Sequence, residues 1–352
     1  MHAHTWRRTG VALLTATALI GAAGCGSGDT AQSGSSSDAG LEQSSIDIGL
    51  TGVGSISNVP LYLADSLGYF KDNGLTVKLT AVKGGTTAIQ SLVTNTVDAT
   101  TNEYIHTLSL QQQNKNVESV AVFSTAPTYS LVVTKGHFDA TVKDLPNMNI
   151  GVVSLGGSTE DLIRYVFETN DLDPAAAKLV ATGAGSTQTA AIKAGQVGAL
   201  IATEPTLTSS LESGEVKPLV DFRKPSVIED MFGGKAPFWS LLVTNKFAQD
   251  NPKTVQALVS ANVKALDYIH SHSAQEIADR LPGDLFYPDG NKDLFIQILE
   301  GVMDGFSTDA VMPQDGPQRI ADYLKVSRPD TDLGALDLSK TYDDSFAKAA
   351  AH

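Results

Sequence analysis

A short pattern, Ser91-Leu92-Val93-Thr94-Asn95-Thr96-Val97-Asp98-Ala99, returns one hundred residues later as Ala191-Ile192-Lys193-Ala194-Gly195-Gln196-Val197-Gly198-Ala199. Each copy reads as the end of a helix, a tight turn and a strand, and each follows a glycine-bearing approach, Gly84-Gly85-Thr86-Thr87 and then Gly185-Ser186-Thr187. Two lobes of the same βα topology would produce such a repeat directly. A chance match of so few residues is the alternative.

The surrounding sequence alternates short apolar β-like runs with helical patterns, which is the signature of βα units around a mostly parallel sheet. Strands are expected at 46–51, 75–82, 97–101 and 117–125, with helices opening at Asn58 and Pro60, at Thr86 and Thr87, and over 103–112. A second lobe repeats the scheme, with strands at 149–153, 177–181, 198–202 and 216–220 and helices starting near Ser158, Thr187 and Pro205. Two nearly identical runs, Ser130-Leu131-Val132-Val133-Thr134 and Ser240-Leu241-Leu242-Val243-Thr244, flank that lobe and suit interlobe crossovers, where a few φ/ψ changes can move one lobe against the other. From Pro252 the pattern turns helical: Val255, Leu258, Val259, Val263, Leu266 and Ile269 make one apolar stripe at helical spacing, further helices follow near 274–281, 292–303 and 317–324, and all are expected to pack back on the first lobe. The expected fold is therefore α/β, with lobe 1 over 46–132 and 240–352 and lobe 2 over 133–239, each a mostly parallel sheet flanked by helices.

Arg7 and Arg8 precede an apolar run, Val11 to Ile20, and a small-residue segment ahead of Cys25. A positive, apolar, then cleavable layout reads as an export signal over 1–24. The run of about ten residues falls well short of the roughly twenty that a spanning helix needs. Cys25 is the only cysteine, so no internal disulfide or thiolate cluster can form. Ala22-Ala23-Gly24-Cys25 resembles the bacterial lipobox, with Ala22 where a larger aliphatic residue is commoner, and makes Cys25 the expected lipidation site. Residues 25–45 are rich in Gly, Ser, Asp and Gln and read as a flexible tether. The formal charge of −14 argues against nucleic acid and anionic membrane surfaces as partners, because phosphate binding relies on clustered Lys and Arg.

The segment from Pro60 to Val77, with Gly68-Tyr69-Phe70 followed by Gly74-Leu75-Thr76-Val77, resembles the nitrate, sulfonate, taurine and pyrimidine-precursor class of ABC transporter substrate-binding proteins. Further likenesses are Ala88 to Ala99, Lys143-Asp144-Leu145, Gly156-Gly157-Ser158-Thr159 and Glu204-Pro205, so the resemblance runs from about Ile46 to Phe247. Leu145-Pro146-Asn147-Met148 departs from the family's usual Leu-Lys-Gly-Lys turn. The resemblance implies a periplasmic-binding-protein fold of type II with a small-molecule ligand in the cleft. It also implies lobe closure recognised by an ABC permease. The signal and Cys25 lead to an expected location on the outer face of the bacterial membrane or in the periplasm through the lipid anchor, and a monomer with neither cofactor nor metal is expected.

In open α/β sheets, ligands sit beyond the carboxyl ends of the strands. That rule selects Asn58, Gly85, Thr86, Asn102 and Glu103 from lobe 1 and Ser158, Thr159 and Glu204 from lobe 2, with Thr125, Tyr129 and Trp239 at the crossovers. Ser158 and Thr159 open a helix and suit an oxyanion, or simply cap that helix. Glu103 and Glu204 fall within one position of each other when the lobes are overlaid, and a pair of carboxylates in one cleft would favour an amine, amidine or N–H-rich ligand; each reads equally as a solvent-facing acid in a helix first turn. Lys83 is the basic residue beside these loops. Tyr129 and Trp239 suit stacking on a ring, with core packing the alternative. An enzyme on the same fold, acting on a small metabolite, is the rival class, yet His106, His137, His270 and His272 fall into no metal spacing or triad.

Overall fold

The computed structural model describes residues 40–52, 54–82, 84–329 and 336–351. The expected signal, Cys25, most of the tether and Lys83 lie outside the described residues.

The first βα series comprises β1 (Ser45–Thr51), α1 (Val59–Ser66), α2 (Tyr69–Asp72), β2 (Thr76–Val82), α3 (Gly85–Val93), β3 (Ala99–Glu103), α4 (Ile105–Gln111) and β4 (Val117–Ser124). The chain leaves through β5 (Tyr129–Thr134) and builds β6 (Asn149–Val152), α5 (Ser158–Thr169), β7 (Lys178–Ala181), α6 (Ser186–Lys193), β8 (Ala199–Thr203), α7 (Thr206–Glu212), β9 (Val216–Val220) and α8 (Pro225–Phe232). It returns through β10 (Trp239–Thr244) and ends in α9 (Asn245–Asp250), α10 (Pro252–Ser271), α11 (Ala274–Ala278), α12 (Gly283–Phe286), α13 (Lys292–Val302), α14 (Gly316–Ser327) and α15 (Ser345–Ala350).

The strand orders are β2-β1-β3-β10-β4 and β7-β6-β8-β5-β9, so the two sheets have one topology. In each, four strands run parallel and the fourth in the order, a crossover strand, runs against them. The sequence repeat now has a structural cause, because α3-β3 and α6-β8 occupy equivalent places and both turns place a residue at positive φ, Asn95 at 55° and Gly195 at 63°.

One apolar core lies on the first sheet under α1, α10, α13 and α15, and the expected stripe on α10 (Val255, Leu258, Val259, Val263, Leu266 and Ile269) is buried in it. Strand β4 is an edge strand with every residue buried, because two segments cover its outer side. Ser119 N–H donates to Thr341 O and Asp343 N–H to Ser119 O, while Val122 N–H donates to Ala310 O. Covering an edge in this way satisfies its free backbone groups and blocks pairing with another chain. The C-terminal helices do not all join the first core. Ile320, Ala321, Tyr323 and Leu324 of α14 are buried with the second lobe's core, packed against α5. Nor is the far end of the expected tether free: Glu42 Oε2 accepts from Lys253 and Thr254 N–H at 3.1 Å each, an acid on the amino end of α10.

Candidate functional site

The two crossover strands begin at equivalent points. Trp239 of β10 pairs with Glu103 of β3, and Tyr129 of β5 pairs with Thr203 of β8. Helix was expected from Glu103 onward, but β3 extends through Thr100, Thr101, Asn102 and Glu103, so Glu103 ends a strand rather than opening a helix. Its three polar predecessors are buried because each has a partner. Thr100 Oγ1 donates to Gly49 O at 2.7 Å, Thr101 Oγ1 to Asn58 Oδ1 at 2.7 Å, and Asn102 Nδ2 to Gly85 O at 3.0 Å. A side chain at position 85 would come within 3.2 Å of the Asn102 amide, which is why glycine opens α3. Asn58 is fully buried, and its Oδ1 also accepts from the Trp239 indole N–H at 3.3 Å, so it fixes the ring.

The Glu103 side chain reaches out of the first sheet. Tyr129 Oη donates to its Oε1 at 3.3 Å, and the Ser158 side chain at the start of α5 also hydrogen-bonds it. Tyr129 opens β5 in the second sheet, although the expected boundary left it in lobe 1, just as Trp239 opens β10 in the first sheet rather than closing lobe 2. A carboxyl on the first sheet therefore meets two hydroxyls of the second lobe, and Ser57 and Thr128 hydroxyls approach each other at 3.4 Å. Burial pushes the Glu103 carboxyl up to about 7, against the opposing pull of those hydrogen bonds. Around it stand Tyr323, whose Oη donates to Ser158 O at 3.2 Å, and Asp161, whose two oxygens take Arg328 at 2.9 and 2.7 Å. Burial, with Arg328 as a lesser cause, holds His106 down at about 4, so its imidazole is neutral.

Glu204 is not a second wall of this cluster. It stands one residue beyond Thr203, the true equivalent of Glu103, and a one-residue slip along a strand turns a side chain to the other face. Its carboxylate accepts from Thr208 N–H at 3.1 Å and Arg223 Nη1 at 3.2 Å, while Arg223 binds both oxygens of Asp221 at 2.9 Å and Asp221 accepts from Ser130 Oγ at 2.6 Å. With side chains only 5% and 11% exposed, Glu204 and Arg223 form a closed ion network.

Thr159 turns inward and accepts from Val153 N–H at 3.1 Å, bracing its own loop. Thr86 stays exposed in the first turn of α3. Thr125 lines a cavity of about 840 Å³ bounded by Pro225, Asp304 and Tyr342, apart from the other expected contacts. Asp161, Tyr323 and Arg328 were missed by sequence reasoning; the neighbouring Gly156-Gly157-Ser158-Thr159 loop was legible, but nothing local to α14 signals that it crosses to α5. Among the described residues no group of three or more His, Cys, Asp or Glu has the geometry to hold a metal ion. The arrangement offers hydrogen bonds from both lobes, a fixed indole and a carboxyl group that titrates near neutrality.

Comparison with known proteins agrees with this architecture. A protein of Bordetella bronchiseptica RB50 shares 30% identity and a TM-score of 0.77, covering 88% of this chain and 98% of that one. The periplasmic aliphatic sulphonate binding protein SsuA of Escherichia coli has a TM-score of 0.64 at 15% identity (81% and 86% covered), and the periplasmic nitrate-binding protein NrtA of Synechocystis PCC 6803 has 0.66 at 13% (88% and 89%). The 4-amino-5-hydroxymethyl-2-methylpyrimidine phosphate synthase of Aspergillus parasiticus is 27% identical over 236 residues, 64% of this chain and 67% of that protein. The fold is that of the periplasmic binding proteins. Residues 56–276 match the family described as "NMT1/THI5 like", and the chain belongs to that family.

Proposed function

We propose that the chain is the extracytoplasmic solute-binding component of an ABC importer. In this reading residues 1–24 are removed, Cys25 is acylated, and the folded part closes on a small polar organic solute that a membrane permease then receives. The observation that carries it is the meeting of Glu103 from one lobe with Tyr129 and Ser158 from the other, at the strand ends where such sheets bind ligands. Micromolar affinity requires only about −8 kcal/mol, within reach of a few hydrogen bonds and one stacked ring.

Native mass spectrometry on gently purified protein tests this. A retained small molecule is expected, and adding it back should raise the melting temperature, since ligand at a hundredfold excess over Kd stabilises by about 2.7 kcal/mol. A bare protein that also fails to respond to taurine, nitrate and 4-amino-5-hydroxymethyl-2-methylpyrimidine would count against it.

One observation favours a second reading, an enzyme acting on a small metabolite: the Aspergillus relative carries a synthase name. Conversion of the retained solute by the purified protein, lost on Glu103→Gln, would establish that reading in place of transport.

A further inference from the structure

Strand β4 owes part of its covered edge to residues 336–343, which lie between α14 on the second lobe's core and α15 on the first. The segment is tied down along its length. Asp337 exchanges two hydrogen bonds with the Gln111 side chain at 2.8 Å each, Lys340 O accepts from Asn245 Nδ2 at 3.2 Å, and Thr341 and Asp343 pair with Ser119. Leu338 and Tyr342 also wall the cavity of about 840 Å³ that reaches Thr125 at the first crossover, where Thr125 N–H donates to Gly305 O at 2.9 Å.

One contact is set against the rest. Glu118, the β4 residue before Ser119, is only 8% exposed, and the carboxylate facing it is that of Asp343 in the covering segment. From α9, Asn245 Nδ2 donates to Glu118 Oε2 at 2.9 Å, but an amide brings no charge. The cations of these C-terminal segments are committed: Lys340 binds Asp337 and Lys348 binds Asp344, each at 2.9 Å. An ionised Glu118 is therefore buried without a counter-charge and faced by a second carboxylate, whereas a protonated one fits.

We propose that residues 336–343 form a pH-operated strap, latched onto β4 and bracing the first crossover while Glu118 is protonated, and loosened when that carboxyl ionises against Asp343. Burial first, and Asp343 second, push Glu118 up to about 7, which places the change near neutrality. With the folded value raised above 4.5, the latch is full at acidic pH and weakens as pH rises through about 7. A looser crossover eases lobe opening and solute release on the alkaline side, and that consequence alone rests on the solute-binding reading above.

Hydrogen–deuterium exchange of the full chain at about pH 5.5 and about pH 8, with intrinsic rates corrected for pH, tests the strap without any solute, so its failure is read apart from that of the transport reading. Protection across 336–343 and at Thr125 should fall about tenfold or more between the two conditions, while β6 and β8 keep theirs. Glu118→Gln, which keeps the shape and removes the charge, should hold that protection at both. Asp343→Asn should show a smaller fall, and serves if the first variant melts early. A strap equally protected at both pH values overturns the proposal, as does a fall that Glu118→Gln leaves in place. A fall shared in parallel by β6 and β8 overturns it too, because the whole chain is then opening. Faster exchange in the strap with Thr125 unchanged overturns the bracing of the crossover.

Discussion

Arg223 holds Asp221 through both oxygens and Glu204 through one, so its loss strands two carboxylates in a poorly solvated place. Breaking a buried ion network by removing one partner costs about 3–5 kcal/mol. Arg223→Met should lower unfolding free energy by that order in urea titration, and a loss below about 1 kcal/mol would mean the network is solvated. Glu118 gives a pH-dependent counterpart. Burial, with Asp343 adding repulsion, pushes it up to about 7 from 4.5, while Asn245 Nδ2 donates to its Oε2 at 2.9 Å. The folded state thus holds this proton more tightly than the unfolded chain, and the stability linked to it is full below about 4.5 and is lost as pH rises to about 7. Glu118→Gln keeps the acceptor and removes the charge. Relative to wild type it should gain about 2 kcal/mol between pH 4.5 and 8, read from paired denaturation curves, and a flat difference would contradict the assignment.

Helix α15 is held by Phe346 and Ala347 against α10, and the segment before it covers the edge of β4. Phe346→Ala should cost about 3 kcal/mol and speed amide exchange along Val117–Ser124; an unchanged exchange rate there would show that β4 is held without this helix. The long stripe of α10 was legible because its apolar positions recur at helical spacing, whereas α15 is one short turn-and-a-half whose burial depends on α10 being there. Strand β3 shows the opposite failure. Ala99-Thr100-Thr101-Asn102-Glu103 has little strand character at its end, and only pairing with β10 extends it to Glu103. Helix α14 was legible as a helix but not in its placement, since an amphipathic face does not name the core that it joins.

At the scale of the molecule, the repeat between residues 91–99 and 191–199 and the paired crossovers carried the architecture, because a duplicated topology leaves duplicated sequence signals. The site was legible as a set of loops and less so as a set of contacts. Glu103, Tyr129, Ser158, Asn58 and Trp239 do come together, while Glu204 turns aside by one residue of register and Thr159 and Thr125 serve other contacts. The account requires that two lobes joined through β5 and β10 close on a solute held at Glu103, Tyr129 and Ser158. Small-angle X-ray scattering of the purified chain, stripped of solute by partial unfolding and then reloaded with the solute that mass spectrometry identifies, measures this directly. Reloading should shrink the radius of gyration as the lobes close, whereas superimposable profiles with and without bound solute would contradict the hinged-closure mechanism.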